Sequence, residues 1–518
     1  MKTRIISIIA ALGAAVLCLS SCNDLLDIPQ HGVQSYENYY QTDEEAQAAA
    51  TSMYSLMRGI DYMYVLCKNL LTDDFWAGGG GRNDNADLEK FNEFTFGIDE
   101  DYVEGLFTTY YQIIYRANVI LGHVPEETDV QKRVRAEAKV FRAWSYFELI
   151  TLWGNPPLVD HELSPEEYSC PNGTTEELWA LVESDLTEAV ASGCLSQKKD
   201  ADTYEWRVTK QFAQTVLGKA YLWQKKYSES AKVLNEVCES NLYRLWDGDY
   251  GDICTMRANQ FCESMFELNR IDDKENVWNN MTMLYLMIHW RIDKMTMASS
   301  DMYTSQGWGF CVPQKNLYED FVKVEGEDGY RLNSTMVTFD QFQEMGHAIN
   351  SGQSIIAEGY LMWKWRVLAE EMPAEGYGFC SLCNFRIMRY AEALLLAAEA
   401  NLMAGNQSDA EKYYNQIRTR AKLPQKTGIT LDDIKIEKRL ELCGESLRYQ
   451  DLLRWGDAAT RLASQGTQTP FLDSNGNITY QNFNDASRCG FKTGKHELLP
   501  YPGTEIRLNS AIVQNPGW

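Results

Sequence analysis

The sequence has 518 residues and carries 48 Lys and Arg against 73 Asp and Glu, a formal net charge of −25 at pH 7. A surface this acidic repels phosphate backbones and argues against nucleic acid as a partner, while an uncharged ligand such as a glycan is compatible with it. Beyond the N-terminus no stretch approaches the ~18 unbroken apolar residues of a membrane span. The length allows roughly two to four domains and a core large enough to fold without disulfides.

Lys2 and Arg4 open the chain, Ile5 to Leu19 form an apolar run, and Leu19-Ser20-Ser21-Cys22 closes it. This pattern is an export signal, residues 1–21, and not a membrane helix. Its ending resembles a bacterial lipobox, which implies cleavage before Cys22 and acylation of that residue as a lipid anchor. The plainer alternative is an ordinary signal peptide with an incidental cysteine. Of the 13 cysteines, Cys18 leaves with the signal and Cys22 takes the lipid. The odd number that remains leaves at least one thiol unpaired. Cys380-Ser381-Leu382-Cys383 is a lone C-x-x-C, expected to be partly buried thiols, with a local disulfide as the alternative.

Residues 22–42 read as anchor and extended tether, and 43–518 as one domain. Thr42 and Glu45 fit a capping box at the head of a helix reaching about Met57. Residues 105–121 read as a strongly apolar helix and 131–153 as a long one, with Val134, Ala138, Phe141, Ser145 and Leu149 at spacings of three or four. Gly154 and Pro156-Pro157 stop it. From Lys210 to Leu242, Leu217, Gly218 and Tyr221 face Ser230, Leu234 and Val237 at the spacing of a tetratricopeptide repeat, in which small residues let two helices cross closely. Ala398, Ala410, Tyr414 and Ile417 repeat the pattern within 391–421. Each match alone also fits an ordinary helical hairpin. The segments 43–244 and 386–518 are therefore expected to be mainly helical scaffold. Residues 431–455 read as helical again, and from Gly490 to Trp518 the chain reads as extended and proline-punctuated.

Between them, in 245–385, helical periodicity fades and Gly, Asn, Asp, Tyr and Trp rise, as in Trp278-Asn279-Asn280, Gly307-Trp308-Gly309 and Glu375-Gly376-Tyr377-Gly378. Loops of this length are uncommon unless they carry function. Chemistry-bearing motifs are absent. The six histidines, His31, His123, His161, His289, His347 and His496, show no His-x-x-x-His spacing, which disfavours a zinc hydrolase. There is no P-loop, no G-x-S-x-G and no G-x-G-x-x-G. Ser196 and Lys199 match S-x-x-K only formally. A carboxylate pair for glycoside hydrolysis stays open. Asp73-Asp74 could sit on calcium, but no EF-hand spacing supports it; solvated or ligand-facing acids are the expectation, and no cofactor is implied.

Four stretches carry a family resemblance. They are Ala136 to Leu149 with Leu152-Trp153-Gly154-Asn155-Pro156-Pro157-Leu158; Arg386 to Leu395 with Ala398-Glu399-Ala400; Ile436 to Leu442 with Glu445, Arg448, Asp451-Leu452 and Arg454-Trp455-Gly456; and Leu499-Pro500-Tyr501-Pro502 with Gln514-Asn515-Pro516-Gly517-Trp518. In this order, behind the lipobox, they resemble the SusD/RagB family of outer-membrane nutrient-binding lipoproteins. The resemblance implies an all-α fold of about four tetratricopeptide-like helix pairs, with an irregular loop-rich segment building the ligand face. It implies a non-enzymatic, cell-surface protein of the outer membrane that binds oligosaccharide, or in some members peptide, and delivers it to a TonB-dependent, SusC-like transporter. The residues after Cys22, Asn23-Asp24-Leu25-Leu26-Asp27, are not a strongly acidic surface-export tag, so the leaflet stays open. In the motifs themselves, Arg389 and Glu392, Glu445 and Arg448, and Asp451 and Arg454 are i,i+3 pairs. Flanked by leucines, they are expected to lie half-buried between helices as structural pairs that fix register.

Sugar recognition needs flat aromatic surface and polar partners. Two regions offer both. One is the Asp73-to-Asn85 stretch, with Asp74, Trp76, Arg82 and Asn83 as ligand-binding candidates. The other is the irregular segment, with Trp278, Tyr303 and Trp308. Trp308 between two glycines is the strongest candidate, Trp290 reads as core, and of Trp363 and Trp365 only one can face outward.

Overall fold

The computed structural model describes residues 39–298, 301–373 and 378–518. The signal, Cys22 and the start of the tether lie outside the described residues, as do Glu375-Gly376-Tyr377.

The helices are α1 (Asp43–Arg58), α2 (Asp61–Leu70), α3 (Ala86–Glu93), α4 (Asp101–His123), α5 (Asp129–Trp153), α6 (Thr175–Ala191), α7 (Lys210–Trp223) and α8 (Tyr227–Glu239) in the first part. The C-terminal part adds, after the short α9 (Leu284–Ile288), α10 (Lys315–Glu325), α11 (Tyr330–Thr335) and α12 (Phe339–Glu344), the helices α13 (Tyr390–Met403), α14 (Gln407–Arg420), α15 (Leu431–Glu441), α16 (Arg448–Trp455), α17 (Ala458–Arg461) and α18 (Gly503–Leu508). The fold is all-α in its scaffold. α4 packs on α5, α5 on α6, α6 on α7, α7 on α8, α8 on α13 and α13 on α14, so consecutive helices form one continuous stack.

Local chemistry accounts for these elements. Thr42 caps α1, its side chain accepting from the Glu45 N–H while Glu45 reaches back to Thr42. At the α7–α8 crossing, a Cβ on Gly218 would stand 2.5 Å from Leu234, and Ser230 donates to the Gly218 carbonyl at 2.8 Å. The small residue is required for the close approach. Ala398 and Ala410 are fully buried at the equivalent α13–α14 contact. The 431–455 stretch is broken rather than continuous. Gly444 has φ +81°, and a Cβ there would meet the Trp365 ring at 2.4 Å, so the chain turns between α15 and α16.

α5 ends at Gly154, and the C-terminal segment satisfies the carbonyls left over. Asn515 and the Tyr501 hydroxyl both donate to the Trp153 carbonyl, at 2.9 and 3.0 Å. The Trp153 indole donates to Pro500 at 2.8 Å. The first and fourth sequence stretches thus meet in space.

Strands of the irregular segment pair with one another and with strands from outside it in small antiparallel sheets. β1 (Phe75–Gly78) pairs with β4 (Phe310–Pro313), and β2 (Ser264–Leu268) with β9 (Phe385–Arg389). β3 (Met295–Thr296) pairs with β6 (Ala348–Ile349), and β5 (Met336–Thr338) with β8 (Tyr360–Met362). β7 (Ser354–Ile355), β10 (Thr469–Asp473) and β11 (Ile478–Gln481) form a three-stranded sheet. Beneath them lies a second, smaller core that includes Trp290, Val312, Phe342, Ile355 and Leu472. Trp290 is core, as expected, with its indole on the Met362 carbonyl at 3.0 Å. Trp365 turns inward and stacks on Phe75 at 5.4 Å, while Trp363 is half-buried.

The i,i+3 pairing holds for Asp451–Arg454 (3.2 Å). The other motif charges pair across the chain, buried at Arg389, Glu392 and Glu399 and half-buried at Glu445 and Arg448. Arg389 binds Glu263 (2.6 Å), Glu441 (2.8 Å) and Glu445 (2.6 Å). Arg331 binds Glu325, Glu437 and Glu441. Glu392 takes Lys219 (2.7 Å), and Glu399 takes Arg454. Burial raises the Glu441 carboxyl, but Arg420, Arg389 and Arg331 win and lower it to about 2.

Candidate functional site

The β1–β4 ribbon brings two distant aromatic segments together. Its register sets Trp76 opposite Val312 and Gly78 opposite Phe310. A Cβ on Gly78 would lie 2.3 Å from the Gly309 carbonyl oxygen, and the Gly79 N–H donates to that oxygen at 2.6 Å. The glycines are therefore needed for close backbone approach. The Gly307–Gly309 turn is itself tied down by main chain: Trp308 N–H to Leu286 at 2.9 Å and Gly309 N–H to His289 at 2.7 Å. Trp308, with its backbone so held, leaves 38% of its surface open.

Side chains stitch the two halves of this ledge. Arg291 donates from Nη1 to the Trp308 carbonyl at 3.1 Å and to Asp84 at 2.6 Å. Lys294 Nζ donates to the carbonyls of Gly80 and Ser354. The Trp76 indole N–H donates to Glu358 at 2.9 Å; the same carboxylate accepts from Tyr480 Oη at 2.6 Å and from the Lys315 N–H at 2.8 Å. Arg82 pairs with Glu89 and Glu93 and lies 4.8 Å from the Phe483 ring centroid. Burial lowers and the Glu93 hydrogen bond raises the Arg82 guanidinium, with a net upward shift. Asn83 is exposed, in the left-handed region (φ 65°), with its N–H on Glu89 at 2.7 Å.

The structure thus gathers Trp76, Arg82, Asn83 and Trp308 around one ribbon. Trp278 is 49% exposed and stacks on Phe379 at 5.5 Å. It connects to the ledge through the neighbouring Gly378 N–H, which donates to Gln306 at 3.1 Å. Tyr303 is half-buried above His289, whose Nε2 lies 2.7 Å from the Tyr303 carbonyl.

Asp74 is not on this face. It is 1% exposed, and its carboxylate lies 2.8 Å from Arg439 Nε. Asp73 is equally buried, held by Arg448 (3.0 Å) and Arg461 (2.7 Å). The expectation of solvent- or ligand-facing acids is therefore corrected. The pair anchors the start of β1 to α15 and α16, and a buried carboxylate matched to arginine cannot turn outward without leaving a charge unpaired. Burial pushes Asp74 up against the pull of Arg439; at Asp73 the arginines overcome burial and lower it. Among the described residues no group of three His, Cys, Asp or Glu side chains could hold a metal ion.

Sequence reasoning missed Arg291, Lys294, Glu358, Tyr480 and Phe483. Phe483 sits in Asn482-Phe483-Asn484-Asp485, the same signal of a ring in a polar loop that singled out Trp308. Glu358 carries no such signal, because its role follows from folding alone.

Two sequence models of one family cover both ends of this architecture. "SusD family" matches residues 330–518, and "Starch-binding associating with outer membrane" matches 35–222. The chain belongs to the SusD family. SusD-like protein P2 of Formosa agariphila is 26% identical, with 97% of this chain and 98% of that protein covered. The starch-binding protein SusD of Bacteroides thetaiotaomicron is 21% identical over 87% and 84%. Among solved structures, a "laminarin binding SusD-like protein" superposes with a TM-score of 0.77 at 27% identity, over 92% of this chain and 100% of that one. This SusD-family chain has no helix, among the described residues, long and apolar enough to cross a membrane.

Proposed function

We propose that this protein captures oligosaccharide on the ledge formed by Trp76, Arg82, Asn83 and Trp308, extended by Tyr303 and Trp278, and does so without chemical conversion. The observation that carries the reading is the β1–β4 ribbon. It carries the half-buried Trp76 and borders the exposed Trp308, and the loop that follows β1 carries Arg82 and Asn83, residue types that suit the C–H faces and hydroxyls of a sugar. The likeness to a laminarin-binding structure supports a glycan as the ligand class, and starch binding by a curated relative points the same way. In this reading residues 43–518 act as one body, tethered through residues 22–42 to an acylated Cys22, held at the outer membrane and facing the exterior. It hands its ligand to a TonB-dependent, SusC-like barrel.

The test is calorimetric titration with a panel of gluco-oligosaccharides and peptides. Trp308→Ala is expected to weaken oligosaccharide binding at least tenfold, about 1.4 kcal/mol. Unchanged affinity would overturn the site, and selective binding of peptide would replace the ligand class by the family's peptide alternative. Product release from polysaccharide would overturn the non-enzymatic reading. Cys22→Ala is expected to free the protein from the membrane fraction.

A further inference from the structure

A hollow of about 1240 Å³ lies away from the ledge, between the end of α8, the loop 241–248, α14 and the loop that follows it, with Tyr330 closing one side. That volume exceeds the ~300–1,000 Å³ of ordinary small-ligand sites. None of the ledge residues lines it.

Its walls have the same chemistry in a different frame. Trp246 is half-buried and lies flat on Gly248, where a Cβ would stand 2.3 Å from the indole. Its ring edge meets Phe261 at 5.6 Å, and its N–H main chain is held by Glu263 at 3.0 Å. The indole Nε1 has no hydrogen-bond partner among the described residues, and Trp246 lines the hollow. Across from it, Lys422 Nζ lies 3.5 Å from the Tyr330 ring centroid, with no carboxylate partner among the described residues.

Of the other charges lining the hollow, all but Glu411 are ion-paired, and Glu411 accepts from Gln407 at 2.8 Å and from the Gly428 N–H at 2.6 Å. Lys412 takes Glu239 at 2.9 Å, Arg244 takes Asp202 at 2.8 Å and Asp247 at 3.3 Å, and Arg420 takes Glu263 at 3.1 Å and Glu441. A strongly charged ligand therefore finds little uncompensated field. A neutral, hydroxyl-rich one finds the Trp246 ring and the Lys422 ammonium seated over Tyr330. Gln416 and Gln425 add amides to the rim.

We propose that this hollow is a second carbohydrate site, formed by the helical scaffold itself and engaging a further stretch of the oligosaccharide, or a second chain of it, independently of the ledge. The proposal rests on the reading of the protein as an oligosaccharide binder, so its test separates the two. Wild type and Trp308→Ala are titrated with laminarihexaose, maltohexaose and xylohexaose, following heat and tryptophan fluorescence. Trp308→Ala is expected to keep a residual binding step. Trp246→Ala and Lys422→Ala, each added to Trp308→Ala, are expected to weaken that step at least fivefold, with far-UV circular dichroism unchanged for the Lys422 variant. If Trp308→Ala has no residual step, or if neither added substitution alters it, the second site is overturned while the ledge stands. If wild type binds none of the three sugars, both readings fall.

Discussion

Two regions of this protein are built on opposite principles. Around Arg389, Arg331 and Arg439, charges from distant segments are matched to one another and sealed from water. On the β1–β4 ledge, rings and donors lie at the surface, and the main chain supplies most of the support. The stretches that identify the family fall in the first region: Arg389, Glu441 and Glu399 are buried and Glu445 and Arg454 half-buried, all in ion pairs. The second region carries the proposed ligand contacts. What identifies the chain and what is proposed to contact its ligand are therefore physically separate.

Substitutions should separate them further. Arg389→Met leaves Glu263, Glu441 and Glu445 buried with one cation fewer. It is expected to cost ~3–5 kcal/mol of stability, read as a shift in urea midpoint, with no specific effect on sugar affinity in whatever fraction stays folded.

Acid offers the next largest effect. Burial holds the His289 imidazole neutral, with a pKa lowered to about 4 from an ordinary 6.5. The folded state then takes up a proton less readily than the unfolded one. The contribution is full above pH 6.5, declines as pH falls, and levels off below 4. Its size is about 3 kcal/mol. Other groups titrate over the same range, so the clean readout is a difference. The stability advantage of wild type over His289→Gln is expected to shrink by that amount between pH 7 and pH 4. Because the His289 carbonyl holds Gly309 and its ring holds the Tyr303 carbonyl, hydrogen exchange in 303–309 should rise with it. Glu441, lowered to about 2, gives way only at lower pH, so the ion-paired region should outlast the ledge.

Gly218→Val forces a side chain against Leu234 at the α7–α8 crossing and is expected to cost ~1–3 kcal/mol by denaturant unfolding. Smallest in stability is Trp308→Ala, at about 0.5 kcal/mol, although it is the change expected to damage binding most. A large loss of stability with Trp308→Ala would erase the distinction between the two regions.

The helical scaffold was legible because its signals are local. The Thr42–Glu45 cap and the Gly218–Ser230–Leu234 spacing each lie within one or two helices. The Gly444 break in 431–455 was missed although a mid-pattern glycine was visible, because its cause is the distant Trp365 ring. Within the site, Trp308 stood out by its glycine neighbours, and Trp76 by the glycines that follow it. Asp74 was misplaced because its neighbours in sequence are a loop, whereas its partner, Arg439, is hundreds of residues away. The pairing of β1 with β4 and the Glu358 bridge between Trp76 and Tyr480 leave no trace in either segment alone.

The hydrogen bonds that hold the Gly307–Gly309 turn run from amide to carbonyl, save the one Arg291 donates to the Trp308 carbonyl, and none uses the Trp308 ring. Such a mount is indifferent to what stands on it. If the proposed site is right, residues at 76, 278, 303 and 308 can be exchanged while the turn keeps its shape, and ligand preference would shift by a few codons without renegotiating the rest of the molecule.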